Sequence, residues 1–127
     1  MITLKTLNEA SEQEVFDQVA RHLLTQMERS ENDDHCMYRN PQGLKCAAGC
    51  LIADDEYIQE MDMLHGVEWH TLVNKGYAPR KHMFLIRKLQ AIHDNYGACY
   101  WLERLRALAN NCGFNTDVLN EFGNEYE

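Results

Sequence analysis

The chain has 127 residues, a formal charge of −8, five cysteines and 45% hydrophobic residues. That length carries one domain, residues 1–127, and that apolar content can bury a core without disulfide or metal staples. An acidic chain is repelled by duplex phosphates, and nothing approaches the roughly 18 consecutive apolar residues of a membrane span.

The charge is uneven. Residues 67–113 carry seven basic and three acidic groups, for +4, while the segments on either side are acidic. The acidic flanks could sit in a basic groove of another protein or keep the chain soluble. Met1-Ile2-Thr3-Leu4-Lys5 lacks the apolar centre of a signal peptide. A cytoplasmic location is therefore expected, with an odd number of cysteines kept reduced.

Residues 1–7 read as a lead-in. Ser11-Glu12-Gln13-Glu14 fits a capping box, and a helix is predicted from there to about Arg29. Val15, Phe16, Val19, Ala20, Leu23, Leu24 and Met27 recur at helical spacing and form its apolar face. His22 borders that face as a packed or solvent-edge residue. Ser30 to His35 reads as a polar connector. Glu31, Asp33 and Asp34 offer oxygen donors there, but the glycine and distal glutamate of an EF-hand loop are missing.

Asn40-Pro41-Gln42-Gly43 has the residues of a type I turn, and the flanks predict a small hairpin near residues 36–46. Cys46-Ala47-Ala48-Gly49-Cys50-Leu51-Ile52 predicts a short buried helix whose small residues let two backbones come close. Its cysteines admit three readings. Cys36, Cys46 and Cys50, with His35, are candidate zinc ligands, since a helix sets Cys46 and Cys50 four apart on one face. The nine-residue gap after Cys36 is not a recognised finger spacing. One cysteine could instead be an activated nucleophile, though no flanking signature supports it. Or the thiols are small hydrophobes filling the core.

Cys-x-Tyr-Arg from Cys36, Gly-x-Lys-Cys-Ala-Ala-Gly-Cys-Leu-Ile from Gly43 and Asp-Asp-Glu-Tyr from Asp54 together resemble a group of small uncharacterised proteins of tailed bacteriophages and proteobacterial prophages. The likeness extends through residues 15–26 upstream and 89–94 and 101–109 downstream. It implies a phage-related context and carries over no catalytic residue.

Asp54 to Asp62 is an acidic stretch with one irregular helical turn expected, seated on the core by Met63, Leu64 and Val67. Val67 to Lys75 predicts a short helix stopped by Gly76, with Trp69, Leu72 and Val73 on one side. His65 and His70 are five apart, the wrong spacing for one helical face. Pro79 opens a helix over residues 80–94, with Met83, Phe84, Ile86, Leu89, Ala91 and Ile92 as its apolar residues. Arg80, Lys81, Arg87 and Lys88 form a basic face, the candidate nucleic-acid contacts. The helices around Gly76 superficially resemble a helix-turn-helix, but the intervening proline, the net charge and the scarcity of base-reading side chains speak against it. Ala98 to Asn111 is a further helix, with Trp101, Leu102, Leu105, Leu108 and Ala109 inward, and Asp117 to Phe122 a last short one. Tyr96, Tyr100 and Trp101 would mark an interface if exposed.

A mainly α, single compact domain follows, with three main helices, short ones and the small hairpin. There is no glycine-rich phosphate loop, no Cys-x-x-Cys pair and no serine elbow. None of the six histidines has a partner visible in the sequence. The expected function is protein–protein binding by a small phage-type accessory protein, for example as an inhibitor of a host or defence factor. No catalytic residue and no cofactor is assigned. A zinc-stabilised module or a DNA-associated regulator are the alternatives.

Overall fold

The computed structural model describes residues 1–32, 35–63 and 68–123. The expectations for Asp33 and Asp34, for Leu64, His65 and Val67, and for the tail from residue 124 lie outside the described residues. Mainly helical architecture is observed, with six α-helices and one two-stranded ladder among the described residues.

Helix α1, Glu12–Gln26, is the longest helix among the described residues. Its start is the predicted capping box: the Ser11 side chain accepts the Glu14 N–H, and the Glu14 carboxylate accepts the Ser11 N–H. Two otherwise orphaned donors are thereby satisfied. Val15, Phe16, Val19, Ala20, Leu23 and Leu24 are buried, and Met27 ends the helix in a left-handed conformation at φ 53°. Each fully buried apolar side chain of this kind contributes roughly 1.5–3 kcal/mol. Helix α4 (Met83–Asn95), helix α5 (Trp101–Cys112) and the short α6 (Asp117–Asn120) pack against α1.

Between α1 and α4 the chain is mostly irregular. Strand β1, Glu31–Asn32, pairs antiparallel with β2, His35–Cys36, where a solvated connector is predicted. The turn at Pro41 also forms: Gly43 N–H donates to Asn40 O at 2.9 Å, and a single bridge, Arg39 to Lys45, closes it. Asn40 Oδ1 accepts the Gln42 and Leu44 amides at 3.0 and 2.9 Å, so the side chain templates the turn. The small-residue run becomes a 3-10 turn, Ala48–Leu51, buried against α1 and α4.

Helix α2 is a single turn, Glu60–Met63. Met61 seats it in the core at 2% exposure, whereas Met63, expected inward, is 75% exposed. Helix α3, Trp69–Asn74, buries Trp69, Leu72 and Val73 as its spacing predicts. It ends in a Schellman motif: Tyr77 N–H donates to Leu72 O, Gly76 N–H to Val73 O, and Gly76 takes φ +83°. No helix among the described residues is long and apolar enough to cross a membrane.

Helix α4 begins three residues later than predicted. Residues 80–82 form a turn, and His82 precedes the helix at φ 68°. His82 Nε2–H donates to Ala10 O at 2.7 Å, and Lys81 Nζ donates to Asn8 O at 2.7 Å. These bonds bind the turn to the chain before α1. The buried stripe of α4 is Leu85, Ile86, Leu89, Ile92 and His93. Phe84 and Ala91 fall on the opposite stripe and are exposed, because they sit one and two positions off the 3.6-residue period of that face. Trp101 is fully buried and Tyr96 half-buried, with only Tyr100 of that trio exposed. The three rings therefore form no surface patch.

Candidate functional site

Three chemistry-bearing side chains converge where the cysteine-containing insert meets the C-terminal end of α4. Cys36 comes from β2, and His93 and Asp94 are consecutive on the last turn of α4. One ligand atom from each lies within 4.8 Å of the others. His93 is wholly buried and stacks on Trp101 with ring centroids 5.5 Å apart. Its Nε2 accepts the Ser30 backbone N–H at 3.0 Å. A backbone amide only donates, so the ring hydrogen sits on Nδ1, which donates to Asp94 Oδ1 at 2.8 Å.

Asp94 is the acceptor of the cluster. It takes hydrogen bonds from His93 and from Gln90 Nε2 at 2.7 Å, and the Cys36 sulfur lies within 4.8 Å of it. Burial alone pushes its carboxyl up, but these donors outweigh it and hold the group below its ordinary value. Burial, followed by the neighbouring Asp94 carboxylate, pushes the Cys36 thiol up to about 12. Cys36 is therefore a thiol at neutral pH, and both nitrogens of the neighbouring imidazole are occupied. The base beside this cysteine is the Asp94 carboxylate, which is held below its ordinary value and is thereby weakened as a proton acceptor.

Of the zinc candidates read from spacing, the structure brings only Cys36 into this group. Cys46 is buried in the core, where its sulfur accepts the Gly49 N–H at 3.3 Å. Cys50 Sγ donates to Ala47 O at 3.2 Å, and burial pushes this thiol up to about 12. His35 is exposed on β2. Cys46 precedes the 3-10 turn Ala48–Leu51, so no α-helix spans both cysteines and the four-residue spacing does not pair them. The signal for His93 was present in the sequence: it lies four residues after Leu89 and seven after Ile86, on the buried stripe.

A shallow groove of about 930 Å³ runs along α1 beside the N-terminal segment. Several of its polar side chains are already engaged. Gln18 clasps the backbone of Ile2, and Gln26 bonds both the N–H and the carbonyl of Lys45. His22 Nε2–H donates to the same carbonyl at 2.9 Å. Arg21 pairs with Glu121 at 2.7 Å. These groups hold the insert and the termini in place rather than converging on a free centre.

The second distinctive feature is a cationic face with an aromatic at its centre. Phe84, in the first turn of α4, is 76% exposed. Arg87 and Lys88 follow at i+3 and i+4 on the same stripe, and Arg80 and Lys81 precede them in the turn; all four are exposed. Lys81 is committed to Asn8 O, and Arg87 lies 3.8 Å from the Glu68 carboxylate. Comparison with protein-family models, curated proteins and solved structures finds no match to the chain.

Proposed function

We propose that this chain is a small phage-type accessory protein that acts by binding another protein, as an inhibitor of a host or defence factor, through the α4 face centred on Phe84. The supporting observation is the 76% exposure of Phe84 beside Arg87 and Lys88. A phenyl ring left in water forgoes about 2 kcal/mol of burial energy, which association recovers. Aromatic residues and arginine dominate the energetics of protein interfaces. The cations around the ring select an acidic partner surface and deter a second apolar patch without charge. The same cations on DNA would work against the −8 charge of the whole chain.

Affinity purification from host lysate tests this, with wild type and Phe84→Ala run in parallel. A stoichiometric partner that is lost with Phe84→Ala and weakened by Arg87→Glu supports the proposal. A partner retained by both variants moves the interface elsewhere, and no stoichiometric partner at all sinks the reading.

A further inference from the structure

We infer that Cys36, His93 and Asp94 form a three-ligand site for a borderline divalent cation of the zinc class, one that clamps β2 to the end of α4. This site is independent of the Phe84 face and differs from the cysteine set suggested by sequence spacing. The donor set is one thiol, one imidazole and one carboxylate, whose ligand atoms lie within 4.8 Å of one another. Such a mixture suits zinc, with three protein ligands and water at the fourth position. Ligands of one tetrahedral zinc stand roughly 3.3–3.8 Å apart, so closure asks for movements of about 1 Å. The Asp94 side chain is 35% exposed and leaves a side from which ion and water enter.

The surrounding contacts are those of a supported site. Gln90 Nε2 fixes the Asp94 carboxylate, while Gln90 Oε1 accepts the Ala48 N–H at 2.9 Å, which ties the site to the insert. Trp101 holds the imidazole plane. In the metal-free chain the Nδ1 hydrogen is held by Asp94, and the thiol keeps its hydrogen beside that carboxylate. The ion replaces them. The thiol proton passes to solvent, and the imidazole hydrogen moves from Nδ1 to Nε2, so one proton is released per ion. The Ser30 N–H then loses its acceptor and must turn to water or another oxygen. The new Nε2–H of the buried ring likewise needs an acceptor, so two hydrogen bonds, from Ser30 N–H to Nε2 and from Nδ1–H to Asp94, are lost against the metal–ligand bonds gained.

Cobalt(II) titration of the Cys99→Ser/Cys112→Ser protein tests the site, since those two thiols are exposed and would otherwise contribute. The expected result is one equivalent bound in four-coordinate form, with a thiolate charge-transfer band that zinc displaces and that Cys36→Ser and Asp94→Asn abolish. The affinity should rise about tenfold per pH unit, as release of one proton requires. Binding of less than about half an equivalent, or a spectrum without the thiolate band, overturns the inference. So does a band that survives Cys36→Ser. The first two outcomes need no ligand variant, so a variant that fails to fold does not shield the proposal.

Discussion

Alanine in place of Gly49 should unseat the cysteine-bearing insert. A β-carbon built there stands 2.2 Å from the Tyr38 carbonyl oxygen, 3.0 Å from its carbon and 3.2 Å from its Cα. Non-bonded heavy atoms rest at roughly 3.5 Å, so the two backbones must part by about 1 Å. Tyr38 has little freedom to yield. Its N–H donates to Asp62 Oδ1 at 2.7 Å, the next amide donates to Oδ2 at 3.1 Å, and its ring sits edge-on to buried Trp69. Overpacking of a core costs about 1–3 kcal/mol, and backbone on both sides places this case near 3. For a chain of 127 residues that lowers Tm by roughly 10 °C. Urea unfolding and calorimetry measure it. Gly97→Ala is the control, because its nearest neighbours are at 3.9 and 4.0 Å and its φ is −63°. That change should be neutral or slightly stabilising. A Gly49→Ala loss below about 0.5 kcal/mol, within the range of ordinary surface changes, would refute the close approach.

Two further outcomes follow from the same structure. With a thiol reagent at mildly alkaline pH, Cys99 and Cys112 should react rapidly, while Cys36, Cys46 and Cys50, whose thiols burial pushes up, wait for unfolding; any of those three reacting as fast as the exposed pair contradicts this. The Glu56 carboxylate accepts the amides of Leu4, Lys5 and Ala53 at 3.0, 3.0 and 2.9 Å. Burial pushes Glu56 up, but these bonds outweigh it and its value in the folded chain is lowered. The stabilisation is thus present above the ordinary glutamate range and is lost as pH falls through the lowered value. Leu4 and Lys5 amide shifts should titrate together with a midpoint below that of free glutamate, and Glu56→Gln should remove the transition; a midpoint at or above the free value goes against the clamp.

Much of the helical frame could be read from local chemistry. The capping box at Ser11 and Glu14, the period of α1, the left-handed glycine after α3 and the turn at Asn40 each rest on residues close in sequence. What escaped depends on distant partners. The late start of α4 is fixed by Ala10 O and Asn8 O, more than seventy residues from the side chains that bind them. Three glutamines, Gln18, Gln26 and Gln90, supply the hydrogen bonds that irregular backbone cannot make with itself, and glutamine carries no positional signature for this use. Phe84, one of the apolar residues expected in α4, lies on its exposed side, because residue type alone does not give the rotation about the helix axis. Spacing groups Cys36 with its nearest cysteines, whereas the fold delivers it to His93 and Asp94, 57 and 58 positions along the chain.

The insert is bolted to α4 through the imidazole of His93, whose nitrogens have opposite roles toward Ser30 and Asp94. Long-range proton–nitrogen correlation NMR of the histidine rings in chelator-treated protein reads those roles directly. The expected result is the Nδ1–H tautomer for His93, with Nε2 unprotonated and accepting. An Nε2–H tautomer, or a ring exchanging freely between the two forms, would contradict it.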